Sequence, residues 1–181
     1  LNYVYGDVDG NIGWVAAGLV PVRKNSSGLL PVAGHTGAYE WDGFLPVRDL
    51  PQVYNPARGY VATANHNILP PGYPHRVSFE FSLPFRFLRI DEVLRAGKKF
   101  TSEDFQRLQH DETSLPARAL VKMLAGDSAA VRLLKSWNFV LSKDSPAAAL
   151  FEFWVRELPS RYTAAEVKPE GRDLVARHLA L

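Results

Sequence analysis

The most chemically suggestive stretch of the chain is Asn65-His66-Asn67, where three polar side chains follow a mostly apolar run. The run, Tyr60 to Ala64, is short enough to be an interior strand. Leu69-Pro70-Pro71-Gly72 then prevents the strand from continuing, because proline has no N–H to donate to a ladder. Polar groups held at the end of a rigid strand are typical of active sites. Asparagine that caps its own loop gives the same pattern, so both interpretations stand at this point.

A second group of polar residues, Asp7, Asp9 and Asn11, has the alternating spacing of a calcium-binding loop. No glutamate follows at the position that closes such a loop, which argues against calcium here. Asp9-Gly10 also separates two apolar runs, and this dipeptide favours a type I′ hairpin turn. The pattern predicts two paired strands, Tyr3–Val8 and Ile12–Ala17.

Histidine could act as general base for a serine in an independent hydrolase, and the chain has five: His35, His66, His75, His110 and His178. The G-x-S-x-G elbow of many such enzymes is absent from the sequence. Each histidine stands apart from the others, and a lone histidine is more often structural than catalytic, since only geometry makes it a base. The sequence therefore gives this interpretation little support.

The composition argues against several classes of function. The chain has 181 residues, 46% of them apolar, and a net charge of +2. It can bury a sizeable core, and it has no basic stripe for nucleic acid. No apolar run is long enough to span a membrane. The absence of cysteine excludes disulfides, thiolate metal sites and a cysteine nucleophile.

The elements that must position the polar residues change type along the chain. Residues 1–85 contain the strand patterns and a long stretch, Leu19 to Gly59, rich in proline and aromatic residues. The aromatic rings of this stretch could line a sugar or acyl pocket, but we expect them to be buried anchors of the loop. Residues 86–181 have the spacing and end signals of helices. This order predicts an α+β fold, with a strand-rich region at 1–85 and a helical region at 86–181.

Individual helices can be placed by their end signals. Phe87, Ile90, Val93 and Leu94 fall on one face of a helix that Gly97 closes. The later signals are a capping box at Thr101–Asp104, a helix at Ser128–Trp137, a helix that begins at Pro146 and stops at Pro159, and a last helix at Gly171–Leu181.

Several motifs, taken in order, resemble the penicillin acylase family. They are Tyr5-Gly6-Asp7-Val8-Asp9-Gly10-Asn11-Ile12-Gly13-Trp14, Leu30-Pro31-Val32-Ala33-Gly34, Trp41-Asp42-Gly43-Phe44-Leu45-Pro46, Tyr54-Asn55-Pro56, Gly59-Tyr60-Val61-Ala62-Thr63-Ala64-Asn65, Arg86 through Ile90, and Asp144 through Glu152. Any one motif is short, but together they cover nearly the whole chain. The resemblance implies that residues 1–85 are part of the αββα sandwich of an N-terminal nucleophile hydrolase and that the helical segment 86–181 follows it.

The resemblance also implies an activity. In this family a precursor secreted to the periplasm cuts itself into two chains. The new N-terminal residue of the larger chain, normally serine, attacks linear amides with its own α-amino group as base. The substrates are β-lactam side chains or acyl-homoserine lactones. A periplasmic or secreted hydrolase that needs no cofactor for catalysis is therefore expected.

Two catalytic positions of the family carry over to this sequence. Asn65 matches the side-chain donor to the oxyanion, and Arg86 matches the supporting arginine, which orients the α-amino end through hydrogen bonds. His66 departs from the family, in which a second asparagine is common. Relatives also hold a structural calcium, and Glu80 aligns with one of its ligands.

The chain resembles the middle of the larger subunit, the β-subunit, and we expect it to be inactive alone. Leu1 has no hydroxyl or thiol, so it cannot be the nucleophile of the family. The expected partners are a small-molecule amide substrate and a complementary acylase chain or the remainder of the β-subunit. The alternative is a non-catalytic acylase module, truncated or decayed, with a binding or structural role.

Overall fold

A computed structural model describes residues 1–97 and 99–178. It divides into two compact units, Leu1–Lys99 and Phe100–Leu181. The strands are β1 (Asn2–Gly6), β2 (Ile12–Ala16), β3 (Pro21–Arg23), β4 (Trp41–Phe44) and β5 (Gln52–Tyr54). The α-helices are α1 (Phe85–Leu94), α2 (Ser102–Gln109), α3 (Leu115–Leu120), α4 (Ala129–Lys135), α5 (Pro146–Glu166) and α6 (Arg172–His178). Strands followed by helices are the predicted α+β order. The first unit includes α1, while the domain boundary predicted between residues 85 and 86 stays a prediction.

The first sheet has the strand order β1-β2-β5 and is antiparallel throughout. Asn2 lies opposite Ala16 at one end of the hairpin, and Gly6 lies opposite Ile12 at the other. Trp14, in the middle of β2, is 1% exposed. Its indole Nε1 donates to Oδ1 of Asn2 at 2.8 Å, which satisfies the buried N–H. The predicted hairpin is confirmed.

The turn of this hairpin differs from the type I′ prediction. Gly10 has a φ of +85°, but Asp9 has no positive φ, and a type I′ turn needs both. The amide of Gly10 donates to the carbonyl of Asp7 at 3.2 Å, and the amide of Asp7 donates to the carbonyl of Asn11 at 3.0 Å. The loop therefore has three residues and ends in a left-handed glycine. The Asp7 carboxylate stabilises it by accepting from the amides of Asp9 and Asn11.

The long proline-rich stretch contains a second, two-stranded sheet of β3 and β4. Pro21 lies opposite Phe44, and Arg23 lies opposite Trp41. Trp41 is 58% exposed and Phe44 is 45% exposed, so the expectation that these rings are buried anchors is wrong. A two-stranded ribbon gives each ring few neighbours, and these two pack against each other edge to face, with centroids 6.0 Å apart.

The prediction of a strand at Tyr60–Ala64 is also wrong. The segment forms no ladder with any other part of the described chain. Ala62 and Ala64 are nevertheless buried, at 7% and 6% exposure. A short apolar run predicts burial well, but its length alone cannot separate a strand from an irregular buried segment.

The helices of the predicted helical region begin largely where their caps predict. The capping box is present, because Thr101 Oγ1 accepts from the amide of Asp104 at 3.2 Å and Asp104 Oδ2 accepts from the amide of Thr101 at 2.9 Å. Ser128 and Ser145 cap α4 and α5. Gly97, with a φ of +72°, follows the end of α1.

The predicted stop at Pro159 is wrong, because α5 continues through this proline to Glu166. Proline removes one helical hydrogen bond, but the last turns gain others. Thr163 is buried, and Arg172 donates to the carbonyls of Ala164 and Val167 at 2.9 Å each. Of the last predicted helix, residues 179–181 lie outside the described residues.

The second unit has its own apolar core, drawn from α3 through α5 and the segments that follow α3 and α4. Its buried members are Ala117, Val121, Leu134, Trp137, Ala147, Ala148 and Phe151. Within the described ranges, no helix is both long enough and apolar enough to cross a bilayer.

Candidate active site

Arg86 lies in the first turn of α1 and contacts the segment that ends at Asn65. Its Nη2 donates to the carbonyl oxygen of Ala64 at 2.9 Å and to Oδ1 of Asn65 at 3.1 Å. Ser82 Oγ lies at 3.5 Å from the same nitrogen. The structure thus brings the two residues predicted for the site into direct contact, while their catalytic roles stay a prediction.

Asn65 has a φ of +61°, the left-handed region that asparagine tolerates better than most residues. Its carbonyl oxygen accepts from the amide of Ser82 at 2.8 Å. Because a guanidinium has no acceptor, the side-chain atom that faces Arg86 must be the amide oxygen. The two N–H groups on Nδ2 then have no acceptor among the described residues, and the side chain is exposed. Asn65 therefore offers a held, unused donor to a ligand.

Asn67 caps its own loop, which is the second of the two interpretations of residues 65–67, whereas Asn65 does not. Its Oδ1 accepts from the amide of Leu69 at 3.1 Å, two residues along the chain. This is the local cap that asparagine commonly forms in turns. Asn65 makes no such local bond with its side chain, which bonds instead to a residue twenty-one positions away.

A second cluster holds the other end of the segment. The hydroxyl of Tyr60 donates to Oδ1 of Asp91 at 2.5 Å, and Nε of Arg95 lies 2.7 Å from the other carboxylate oxygen. Asp91 is buried, at 7% exposure. Burial and the hydrogen bond to Asp91 raise the pKa of Tyr60, so its hydroxyl stays protonated. Arg58 packs over the Tyr60 ring, with its Cζ 4.9 Å from the centroid.

Helix α1 therefore anchors residues 60–65 at both ends, through Asp91 near its end and Arg86 at its start. Sequence reasoning missed Tyr60 and Asp91. A signal was present, because Asp91 falls four residues after Phe87 and three before Leu94, on the apolar face of the helix. An acidic residue at a core-facing position is expected to have a specific partner.

His66 stacks on Phe87, with ring centroids 3.8 Å apart and an angle of 16° between the planes. Burial lowers the pKa of His66, and the positive charge of Arg58 lowers it further, so the ring is neutral near pH 7. Its Nδ1 is buried without a hydrogen-bond partner in the described chain. No serine hydroxyl bonds His35, His66, His75 or His110, so a serine–histidine pair gains no support; the side chain of His178 lies outside the described residues.

The residues with calcium-loop spacing form a hydrogen-bonded hairpin tip. Asn11 donates to Oδ2 of Asp7 at 2.8 Å, and Asn55 donates to Oδ1 of Asn11 at 2.7 Å. The hydrogen bonds from Asn11 lower the pKa of Asp7. In the described residues, no three histidine, aspartate or glutamate side chains come together as a metal site, and Glu80 is exposed.

Comparison with known proteins decides the family. The family model described as Penicillin amidase matches residues 1–180. The chain belongs to the penicillin amidase family. Its relatives include an acyl-homoserine lactone acylase, QuiP, of Pseudomonas fluorescens, which is 30% identical over 94% of this chain. Penicillin acylase 2 proenzyme of Pseudomonas sp. strain SE83 is 32% identical over 90% of it.

A solved penicillin amidase relative has the same fold. The thermostable penicillin G acylase of Alcaligenes faecalis superposes with a TM-score of 0.68 over 95% of this chain, at 21% identity. The predicted α+β class, as part of the penicillin acylase fold, is therefore confirmed. The chain spans 23% of the P. fluorescens acylase, 22% of the strain SE83 proenzyme and 34% of the A. faecalis chain.

Proposed function

We propose that these residues form part of an amide hydrolase of the penicillin amidase type, in which Asn65 donates to the oxyanion of the tetrahedral intermediate. The observation that carries the proposal is the free Nδ2 of Asn65, with Oδ1 held by Arg86. Relatives named acyl-homoserine lactone acylase and penicillin acylase support a linear acyl amide as the substrate class.

The chemistry requires a donor of this kind. When a nucleophilic oxygen adds to an amide carbonyl, the carbonyl oxygen becomes negatively charged, and it loses that charge when the amine leaves. A donor fixed in advance for this oxygen lowers the barrier without binding the substrate more tightly. One such side-chain donor contributes about 3–4 kcal/mol in comparable sites.

Arg86 is a positioning residue in this proposal. Its guanidinium binds Oδ1 of Asn65, so the Nδ2 side of the amide faces outward. It also withdraws electron density from Oδ1, which makes Nδ2 a stronger hydrogen-bond donor. The bond to the Ala64 carbonyl fixes the adjacent peptide in the same step. Two bonds from one nitrogen thus set both the backbone and the side chain of the donor.

In this proposal the nucleophile and the general base are supplied from outside residues 1–181. The proposal has an N-terminal serine of the larger chain as nucleophile and its α-amino group as base, which suits a hydroxyl of high pKa. The share of each relative that the chain spans supports this division. Location in the periplasm belongs to the same proposal. A structural calcium belongs to the proposal as well, by resemblance to the family, and no catalytic step depends on it.

Replacement of Asn65 by glycine in the active protein tests the proposal. Glycine is the substitution of choice, because alanine would be strained at a φ of +61°. We expect kcat to fall by about 10²–10³, with KM changed far less. Asn65→Asp keeps the backbone preference but replaces the donor with an acceptor, and we expect a similar loss. Residues 1–181 by themselves should be inactive in the same assay.

Asn67→Ala is the matched control. It removes a local cap and should cost about 1 kcal/mol of unfolding free energy while leaving kcat near wild type. A normal kcat for Asn65→Gly in the fully processed enzyme would show that Asn65 is only a loop residue. That outcome would favour the alternative of a non-catalytic module.

A further inference from the structure

The first unit contains a second concave site, which shares no residue with the Asn65 cluster. This cleft has a volume of about 540 Å³ and lies between the segment from Pro21 to Ser27 and the segment from Pro74 to Arg76. Small-molecule sites commonly have volumes of about 300–1,000 Å³, so the cleft has the size of a ligand site.

The charge of the cleft is positive. Arg23, Lys24, Arg76 and His75 line it, and no aspartate or glutamate does. Lys24 is paired with Asp42 outside the lining, at 3.2 Å. Neither Arg23 nor Arg76 has a carboxylate partner within residues 1–97 and 99–178. Two arginines without an acid beside them, in one concavity, favour an anionic ligand.

Aromatic rings hold both guanidinium groups in place. The Cζ of Arg23 lies 5.7 Å from the centroid of Trp41, and the Cζ of Arg76 lies 4.8 Å from that of Phe79. A guanidinium on an aromatic face keeps its edge N–H groups available for a carboxylate. Gly28 leaves room for this placement, because a Cβ there would lie 2.7 Å from Nε of Arg23. The arginines are therefore positioned before a ligand arrives.

The remaining walls are partly apolar. Val22 and Leu45 line the cleft together with Pro21 and Pro74. A site with guanidinium groups and apolar walls fits a molecule that has a negatively charged group and an apolar body. We propose that this cleft binds a small organic carboxylate through Arg23 and Arg76, with its apolar part against Val22 and Leu45.

Binding of hexanoate to the active protein and to its Arg76→Gln variant, measured by calorimetry or ligand-observed NMR, tests this inference. The variant is needed because hexanoate is also the kind of carboxylate that the proposed hydrolase would release near Asn65. Hexanol has the apolar chain without the carboxylate, and inorganic phosphate has negative charge without the apolar chain, so each tests one part of the ligand. We expect hexanoate to bind, hexanol and phosphate to bind more weakly, and the affinity for hexanoate to fall with added salt. Arg23→Gln and Arg76→Gln should each weaken hexanoate binding by about tenfold or more, because each removes charged hydrogen bonds.

Arg48→Gln is the matched control, since Arg48 lies outside the cleft lining and its side chain is 83% exposed. It should leave hexanoate binding unchanged. Arg76 is exposed, so its substitution tests the cleft even if Arg23→Gln unfolds the protein. The inference is overturned if hexanoate does not bind, if Arg76→Gln binds it as wild type does, or if phosphate binds as tightly as hexanoate. Kinetics of Asn65→Gly have no bearing on any of these outcomes.

Discussion

Replacing Tyr60 by phenylalanine removes one hydroxyl and leaves the ring in place. That hydroxyl lies 2.5 Å from the carboxylate of Asp91, whose side chain is 9% exposed, so the loss leaves a buried charge with one partner fewer. A hydrogen bond to a charged group contributes about 1.5–3 kcal/mol. The Arg95 side chain is 73% exposed, so its pair with Asp91 adds only about 0–1 kcal/mol. We therefore expect Tyr60→Phe to lower the unfolding free energy by about 2 kcal/mol.

Urea-induced unfolding, followed by tryptophan fluorescence, measures this loss. Tyr54→Phe is the matched control, because the Tyr54 side chain is exposed and its hydroxyl bonds nothing in the described chain. Its effect should be within about 0.5 kcal/mol. A double-mutant cycle with Asp91→Asn should give a coupling energy of about 1–2 kcal/mol. Equal losses of unfolding free energy for Tyr60→Phe and Tyr54→Phe would refute a stabilising hydrogen bond between Tyr60 and Asp91. Additive effects of Tyr60→Phe and Asp91→Asn would refute it as well.

Two further substitutions test the neighbouring contacts. Arg86→Gln should lower kcat by about tenfold with little change in KM, because Asn65 loses its orientation. Arg89→Gln, on the same helix, is the control and should leave kcat and KM near wild type. Equal kinetics of the two variants would contradict the positioning role of Arg86. His66 has a folded pKa below its usual 6.5. Its contribution to stability is therefore complete above about pH 6.5 and is lost as pH falls through the folded pKa, since the unfolded state then binds more protons. His66→Gln should flatten this part of the pH dependence of Tm, and an unchanged difference in Tm between about pH 5 and pH 8 would contradict it.

Local signals in the sequence were enough to predict most of the elements. Asp9-Gly10 predicted the hairpin and Thr101 predicted the start of α2, since turns and caps depend on a few adjacent residues. Pro159 misled because α5 continues beyond it to Glu166, where Arg172 donates to the carbonyls of Ala164 and Val167. Tertiary contacts of this kind are not visible in a window of sequence.

The candidate site was predicted only in part. Asn65 and Arg86 were assigned through resemblance to a family, and nothing in their spacing predicts that one nitrogen bonds both Ala64 and Asn65. Tyr60 and Asp91 could have been suspected from the acidic residue on the apolar face of α1. Their pairing could not, because they lie thirty-one positions apart and no local pattern indicates how the segment before α1 folds back onto the helix.

The anchoring of residues 60–65 on α1 also has a consequence for folding. Its contacts join residues 65 and 82, 65 and 86, and 60 and 91, so the longest spans thirty-one positions. The entropy of loop closure grows slowly with length, and closing the longest of these loops costs only about 0.5 kcal/mol more than closing the shortest. None of these contacts involves the β1–β2 hairpin. The hydrogen bonds that set the donor geometry of Asn65 therefore close within residues 60–91 and do not depend on the β1–β2 ladder.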